Sequence, residues 1–314
     1  MKKALINNPI KALVIDDILK SSIIIIRHAE SEFNKTVKLL KERIEIVDQK
    51  IFLKNIKSDR QLVDSFITEK GRNQCLKAGK ELSNIPIKYI FTSPLRRSLE
   101  TCKLVIQSKF SENSNYLIPI KEIKEQNNIK IIVHPYLFEK IEDSCDLIED
   151  INKNRDNYKE FDWSFFDNMN RNDFLFYQAN FCDNYHHPED SNISYSEEIR
   201  KYIKEKNLKE NKEIIDIYLD VVLKGISKQF DNGKFIESSF KTIERLDYFK
   251  NFIMDFIEKN KINNENNNEK ILVFGHSIYF KHLTSKKLSE EDLSPPLEDS
   301  VLENCEFIGI KFDI

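Results

Sequence analysis

The stretch that most constrains this chain is Ile-Ile-Ile-Ile at residues 23–26. Four β-branched side chains in succession are stiff at χ1 and suit the pleat of a strand. They do not alternate with polar residues, so such a strand needs apolar cover on both faces, as in a sheet sandwiched between helices. The run then stops on Arg27 and His28. In open α/β sheets, ligands bind just beyond the carboxyl ends of strands, which is where this pair would stand.

Three further short apolar runs read as buried strands: residues 89–92, 131–133 and 271–274. The tail from residue 307 alternates and suits an edge strand. Between the runs the period lengthens to that of a helix. Residues 68–82 can be capped by Thr68, with Cys75, Gly79 and Leu82 on one face. Residues 93–107 place Ser93 at an N-cap and Pro94 at the first helical position, with Leu95, Leu99, Cys102 and Ile106 as the buried stripe. Residues 239–259 repeat the pattern through Phe249, Ile253 and Phe256. Strands alternating with helices imply a three-layer αβα sandwich with a mostly parallel central sheet.

Three regions interrupt the alternation. Residues 35–63 read as a charged helical insertion, 107–130 as a polar connection, and 150–235 as a long insertion rich in Asp, Asn and aromatics. The expected organisation is one domain over 1–314 carrying insertions at 35–63 and 150–235. The Asn-rich stretch 263–269 reads as a low-complexity loop. With 49 basic against 52 acidic side chains, no global field draws the chain to nucleic acid or to an anionic membrane. Its five cysteines are scattered, with no CxxC pair, which points to a reducing compartment rather than a disulfide framework. The N-terminal apolar residues are broken by Asn, Pro, Lys and Asp, too short for a membrane span and unlike a signal peptide. The expectation is a soluble cytoplasmic protein.

Several inferred strands deliver chemistry at the same end. The first ends in Arg27-His28. The second leads through Ser93-Pro94-Leu95 to Arg97 in the first turn of a helix. The last ends in Gly275-His276, where glycine permits a tight turn, and the strand at 131–133 leads into a loop with Glu139. Two arginines, two histidines and a carboxylate at one sheet edge meet the needs of phosphoryl transfer. Arginines bind the non-bridging oxygens, a neutral imidazole attacks phosphorus, and a carboxylic acid protonates the leaving oxygen.

On these residues the chain resembles the histidine phosphatase superfamily, the phosphoglycerate mutase-like fold. The segment RHAESEFN is similar to its opening Arg-His-Gly-Glu-Ser motif, with Arg27, His28, Glu30, Ser31 and Asn34 in place and Ala29 for the glycine. DSFITEKGRNQ carries Asp64, Thr68, Gly71 and Gln74 of the next block. SPLRRSLET places the phosphate arginine at Arg97, LFE the acid at Glu139, ESSFKTIER the later Glu-Ser…Arg helix, and FGHS the second histidine. The resemblance implies that His28 becomes phosphorylated while Arg27, Arg97 and His276 hold the phosphoryl oxygens, with Asn34 as a further donor. It implies that Glu139 is the general acid, and that neither metal nor cofactor is required. The partner it implies is a phosphorylated substrate.

The reading that follows is a phosphomonoesterase working through phosphohistidine, a metal-independent histidine acid phosphatase-like hydrolase. A phosphoglycerate mutase is the alternative within the fold, but its Glu-Arg-His-Tyr-Gly-like segment is replaced here by EKIEDSC. A catalytically silent phospholigand-binding protein is the third. Two assignments stay open: Glu142 follows Glu139 by one helical turn, and of the adjoining Arg96 and Arg97 one is expected to face solvent. The aromatic cluster 161–167 is either a lid or the core of its insertion, and clustered rings favour the core. His134 reads as a strand terminator, and the paired histidines in 184–190 lack metal-ligand spacing.

Overall fold

The isoleucine run is a strand, as its composition demands. The computed structural model describes residues 12–15, 18–43, 46–111, 117–167, 173–182, 194–208, 211–231, 236–262, 269–285, 288–289, 293–296 and 301–312. Among them are six strands: β1 (Ala12–Ile15), β2 (Ile23–Arg27), β3 (Ile87–Thr92), β4 (Lys130–Val133), β5 (Lys270–Gly275) and β6 (Phe307–Phe312). They form one sheet in the order β1-β6-β2-β5-β3-β4. The β2–β5, β5–β3 and β3–β4 pairs are parallel, whereas β6 runs antiparallel to both β1 and β2.

This order corrects one expectation and adds a strand that the sequence did not announce. The alternating tail is not an edge strand: β6 lies inside the sheet, and β1 covers it. The segment contributing β1 carries no strand signal distinguishable from its broken surroundings, since Leu13 and Val14 stay about half exposed.

The helices are α1 (Glu32–Arg43), α2 (Ile46–Lys57), α3 (Glu69–Glu81), α4 (Arg96–Phe110), α5 (Ile120–Asn127), α6 (Ile151–Asn157), α7 (Asp173–Cys182), α8 (Tyr195–Glu205), α9 (Asn211–Asp231), α10 (Ser239–Lys259) and α11 (Ser277–Thr284). Successive side chains of a strand point to opposite faces, and β2 divides accordingly. Ile24 and Ile26 pack with Leu99 and Cys102 of α4 and with Phe174 and Tyr218 from the long insertion. Ile23 and Ile25 pack with Phe249 and Ile253 of α10 and Tyr279 of α11. The result is an α/β/α arrangement of three layers. No helix among the described residues is long and apolar enough to cross a membrane.

Local signals explain the helix ends unevenly. Thr68 caps α3 as its spacing predicts, its Oγ1 accepting from the Gly71 amide at 3.0 Å. The start of α4 differs from expectation: the helix begins at Arg96, and Leu95 at the N-cap offers no side-chain acceptor. Asp64, distant in sequence and held at φ 46°, supplies the cap by accepting from the Arg96 amide at 2.7 Å. The polar connection 107–130 also contains α5, whose Ile120 and Ile123 are buried. The aromatic cluster is core, with Phe161, Trp163 and Phe166 buried. His134 ends β4, accepts from the Tyr136 amide at 3.3 Å, and lies among Phe249 and Phe252. The histidines of 184–190, and nearly all of the Asn-rich loop, lie outside the described residues.

Gly71 sits where α3 meets the loop after His28. A Cβ there would run into the Glu30 carbonyl oxygen and crowd Ala29. Gly71→Ala is therefore expected to lower stability by about 1–3 kcal/mol despite alanine's better helix propensity. Thermal denaturation checks this; an unchanged midpoint would show that the loop gives way freely.

Candidate active site

Parallel pairing brings the two histidines together. Arg27 is the register partner of Gly275, so His28 and His276, each one residue further on, leave adjacent strands at the same level. Neighbouring strands lie about 4.8 Å apart, and the two imidazole centroids are 5.2 Å apart. The His28 amide donates to the Gly275 carbonyl at 2.9 Å, and the Ser93 amide to that of Phe274 at 3.1 Å, extending the alignment to the end of β3. Gly275 serves this geometry differently from the expected turn. It lies within β5, and a Cβ would stand 2.6 Å from the Phe280 ring, so glycine is needed for close packing of α11.

His28 is buried, with Nδ1 2.7 Å from the Ala29 carbonyl oxygen. A carbonyl only accepts, so Nδ1 carries the proton and Nε2 keeps its lone pair. Burial, reinforced by Arg97 and Arg27, drives the His28 pKa well below its ordinary value and keeps the ring neutral. Arg97 Nε donates to His28 Nε2 at 3.2 Å. Arg97 also donates from Nη1 to the Cys145 carbonyl and from Nη2 to Asp146 at 2.9 Å. Arg96 is not the solvent-facing member of its pair. It is buried too, points the other way to Asn154 and Glu149, and covers the Phe66 ring.

His276 is fully buried, and its Nε2 lies 2.8 Å from Ser93 Oγ. Its Nδ1 and the Nε of Arg27 are buried without a hydrogen-bond partner. Orphaned buried groups of this kind cost about 1–3 kcal/mol each unless a ligand completes them. Arg27 otherwise donates from Nη1 to the Leu302 carbonyl at 2.6 Å. The Asn34 Oδ1 accepts from the Ser31 amide and from Asn304 Nδ2, both at 3.3 Å, and Asn304 also reaches the His28 carbonyl at 3.0 Å.

Glu139 follows the 3-10 turn Pro135–Leu137 after β4 and is buried against the start of α11. Its oxygens accept from the amides of Lys140, Tyr279 and Ile278 at 2.9, 2.8 and 3.1 Å. Those donors and Arg97 favour the carboxylate, but desolvation and then Asp146 outweigh them and push its pKa up to about 7. Glu142 instead pairs with Lys140 at 2.8 Å. Of the two carboxylates, Glu139 is the one coupled electrostatically to Arg27 and Arg97.

Sequence reading passed over Ser93 as a partner of His276, and over Asn304 and Asp146. Ser93 precedes Pro94 in an ordinary helix-start pattern. Asn304 carries no local signal, because its partners lie hundreds of residues away, and nothing local to Asp146 announces Arg97, 49 residues away, as its partner.

A mostly parallel sheet between helices, with histidines on adjacent strand ends, agrees with what the sequence resemblance implies. Residues 54–128, which include Arg97 but neither histidine, match the model of the histidine phosphatase superfamily (branch 1). No curated protein matches the chain. Among solved structures, a phosphoglycerate mutase from Bacillus anthracis is similar at 15% identity, covering 96% of this chain and 93% of that one with a TM-score of 0.39. A mycobacterial glucosyl-3-phosphoglycerate phosphatase is similar at 11% identity, covering 93% and 97% with a TM-score of 0.35. Neither likeness bears on activity.

Proposed function

We propose that the chain is one domain with two insertions and acts as a phosphomonoesterase through a phosphohistidine on His28. The observation that carries this reading is the Nδ1–carbonyl hydrogen bond, which leaves a neutral imidazole with its Nε2 lone pair beside Arg97. The two unpartnered buried groups nearby, Arg27 Nε and His276 Nδ1, suit phosphoryl oxygens, the latter in the tautomer whose Nε2 accepts from Ser93 Oγ. In the first step Nε2 attacks phosphorus, the ester P–O bond breaks, and Glu139 transfers its proton to the leaving alkoxide. In the second, the Glu139 carboxylate takes a proton from water, the hydroxide attacks phosphorus, and the P–N bond breaks to restore neutral His28. Arg27, Arg97 and His276 hold the oxygens throughout and stabilise charge in the transition state.

The test is phosphate release from an activated aryl phosphate with chelator present, together with acid- and alkali-quenched samples of the enzyme. A phosphoryl group that is labile in acid and stable in alkali supports the reading. A folded protein that releases no phosphate would shift the assignment to a strict mutase or a silent phospholigand binder, which a phosphoglycerate isomerisation assay separates.

Glu139 also sets a pH dependence. Its pKa is raised to about 7, so the proton needed by the leaving group is present below that pH and lost above it. For an alkyl phosphomonoester, whose alkoxide needs that proton, kcat/KM is expected to fall about tenfold per pH unit above pH 7. An aryl ester with a good leaving group is expected to show a much weaker limb. Identical profiles for the two esters would remove Glu139 from the role.

A further inference from the structure

Asp146 lies in the acidic stretch 145–150 after the candidate acid, where the sequence assigns it no role, yet it touches both Arg97 and the loop that follows Glu139. It closes the 3-10 turn Ser144–Asp146 and is only 3% exposed. Its Oδ2 accepts from the amides of Glu142 and Asp143 at 3.1 and 2.9 Å, which pins the carboxylate to the loop that follows Glu139. Its Oδ1 accepts from Arg97 Nη2 at 2.9 Å. The side chain thus has one face bound to backbone and the other to the guanidinium that reaches His28.

Arginine has five N–H groups in a fixed fork. In Arg97 the Nε proton faces His28, one Nη1 proton faces the Cys145 carbonyl, and one Nη2 proton faces Asp146. One N–H on each Nη remains, so the guanidinium can still grip a phosphoryl oxygen while anchored at its far edge. When the Nε proton turns from Nε2 to that oxygen, the anchor keeps the cation from leaving with it. The anchor also has an electrostatic consequence. Phosphate arriving beside His28 meets an arginine whose charge is already offset by a buried carboxylate, so it is bound less tightly than by an unpaired cation. The other charges facing this carboxylate are Glu139 on the preceding segment, Asp143, and the Lys57 ammonium from α2, which pairs with Asp143 and also interacts with Asp146.

We propose that Asp146 is a positioning residue that anchors Arg97 beside His28 and, as a fixed negative charge on that guanidinium, weakens the hold on free phosphate so that product leaves. This rests on the phosphomonoesterase reading above. A residue needed only for packing would weaken phosphate binding when replaced, whereas this role predicts the opposite sign.

The experiment compares the wild type with Asp146→Asn, Asp146→Ser and Asp146→Glu. It measures inorganic phosphate by calorimetry and as an inhibitor of aryl phosphate hydrolysis. The uncharged variants are expected to bind phosphate about tenfold more tightly, with kcat and KM both lowered. The alkyl-ester pH limb is expected to move to lower pH, because Asp146 is one of the charges holding the Glu139 proton. Asp146→Glu, which keeps the charge, should stay within about threefold of wild type. The serine variant guards against misfolding of the asparagine one. Folded uncharged variants that bind phosphate no more tightly than wild type, or a glutamate variant that behaves like them, overturn the inference. Should the wild type neither hydrolyse the ester nor bind phosphate, the phosphomonoesterase reading fails and takes this one with it. Should it do both without the expected tightening, the inference alone fails.

Discussion

His28→Ala is expected to lower kcat/KM for an aryl phosphate by roughly 10³-fold or more, because in the proposed mechanism it removes the nucleophile. His276 is the nearest candidate substitute, but its Nε2 faces Ser93 across 2.8 Å. The substitution also strands Arg97 Nε, whose partner is His28 Nε2, and a buried unpaired donor costs about 1–3 kcal/mol. Thermal denaturation must therefore accompany the rate measurement, so that lost chemistry is not confused with lost fold. Turnover within tenfold of wild type in a folded His28→Ala protein would sink the nucleophile assignment. Loss of the acid-labile phosphoryl group together with turnover would locate it on His28.

The second large effect concerns stability. Arg245 of α10 and Glu237 are both wholly buried and pair at 2.8 Å. Arg245 also donates to the carbonyls of Tyr136, Phe138 and Glu139 at 3.2, 2.7 and 3.3 Å, and its guanidinium lies 3.8 Å from the Phe138 ring centroid. Glu237 accepts from the Ile141 amide at 2.9 Å. The pair thus clamps the segment that carries Glu139 from both sides. Arg245→Met leaves Glu237 as an uncompensated buried charge and is expected to cost about 3–5 kcal/mol. For a chain of this size that is a midpoint lowered by roughly 6–20 °C. The double variant Glu237→Met/Arg245→Met should recover part of the loss, since it removes the stranded charge. A single variant as stable as wild type would mean that the clamp contributes little.

Much of this arrangement can be read from local pattern. Residues 239–259 coincide with α10 because apolar spacing and the Ser238 cap both act within a few turns. Thr68 announces α3 for the same reason, and the β-branched runs announce β2 to β5. Where a feature depends on a distant partner, local pattern is silent or misleading. Alternation in β6 suggested an edge, but β1 pairs with it from nearly three hundred residues away. The α4 start suggested a Ser93 cap, but Asp64 caps it across the core. Arg96 suggested a solvent-facing neighbour of Arg97, but it is buried, with buried Asp64 and half-exposed Glu149 as partners at 3.8 and 3.2 Å.

By itself, then, the sequence determined the buried strands, the main helices, and the placing of Arg27, His28 and His276 at strand ends, since each follows from side-chain periodicity over a few residues. The tertiary structure alone decided that β2 and β5 are neighbours in parallel register, which sets two histidines 5.2 Å apart. It alone placed Asp146 on Arg97 and Arg245 beneath the Glu139 segment. Hydrogen bonds and charge pairs between residues remote in sequence are chosen by how the layers close around the sheet, and no short-range pattern encodes that choice.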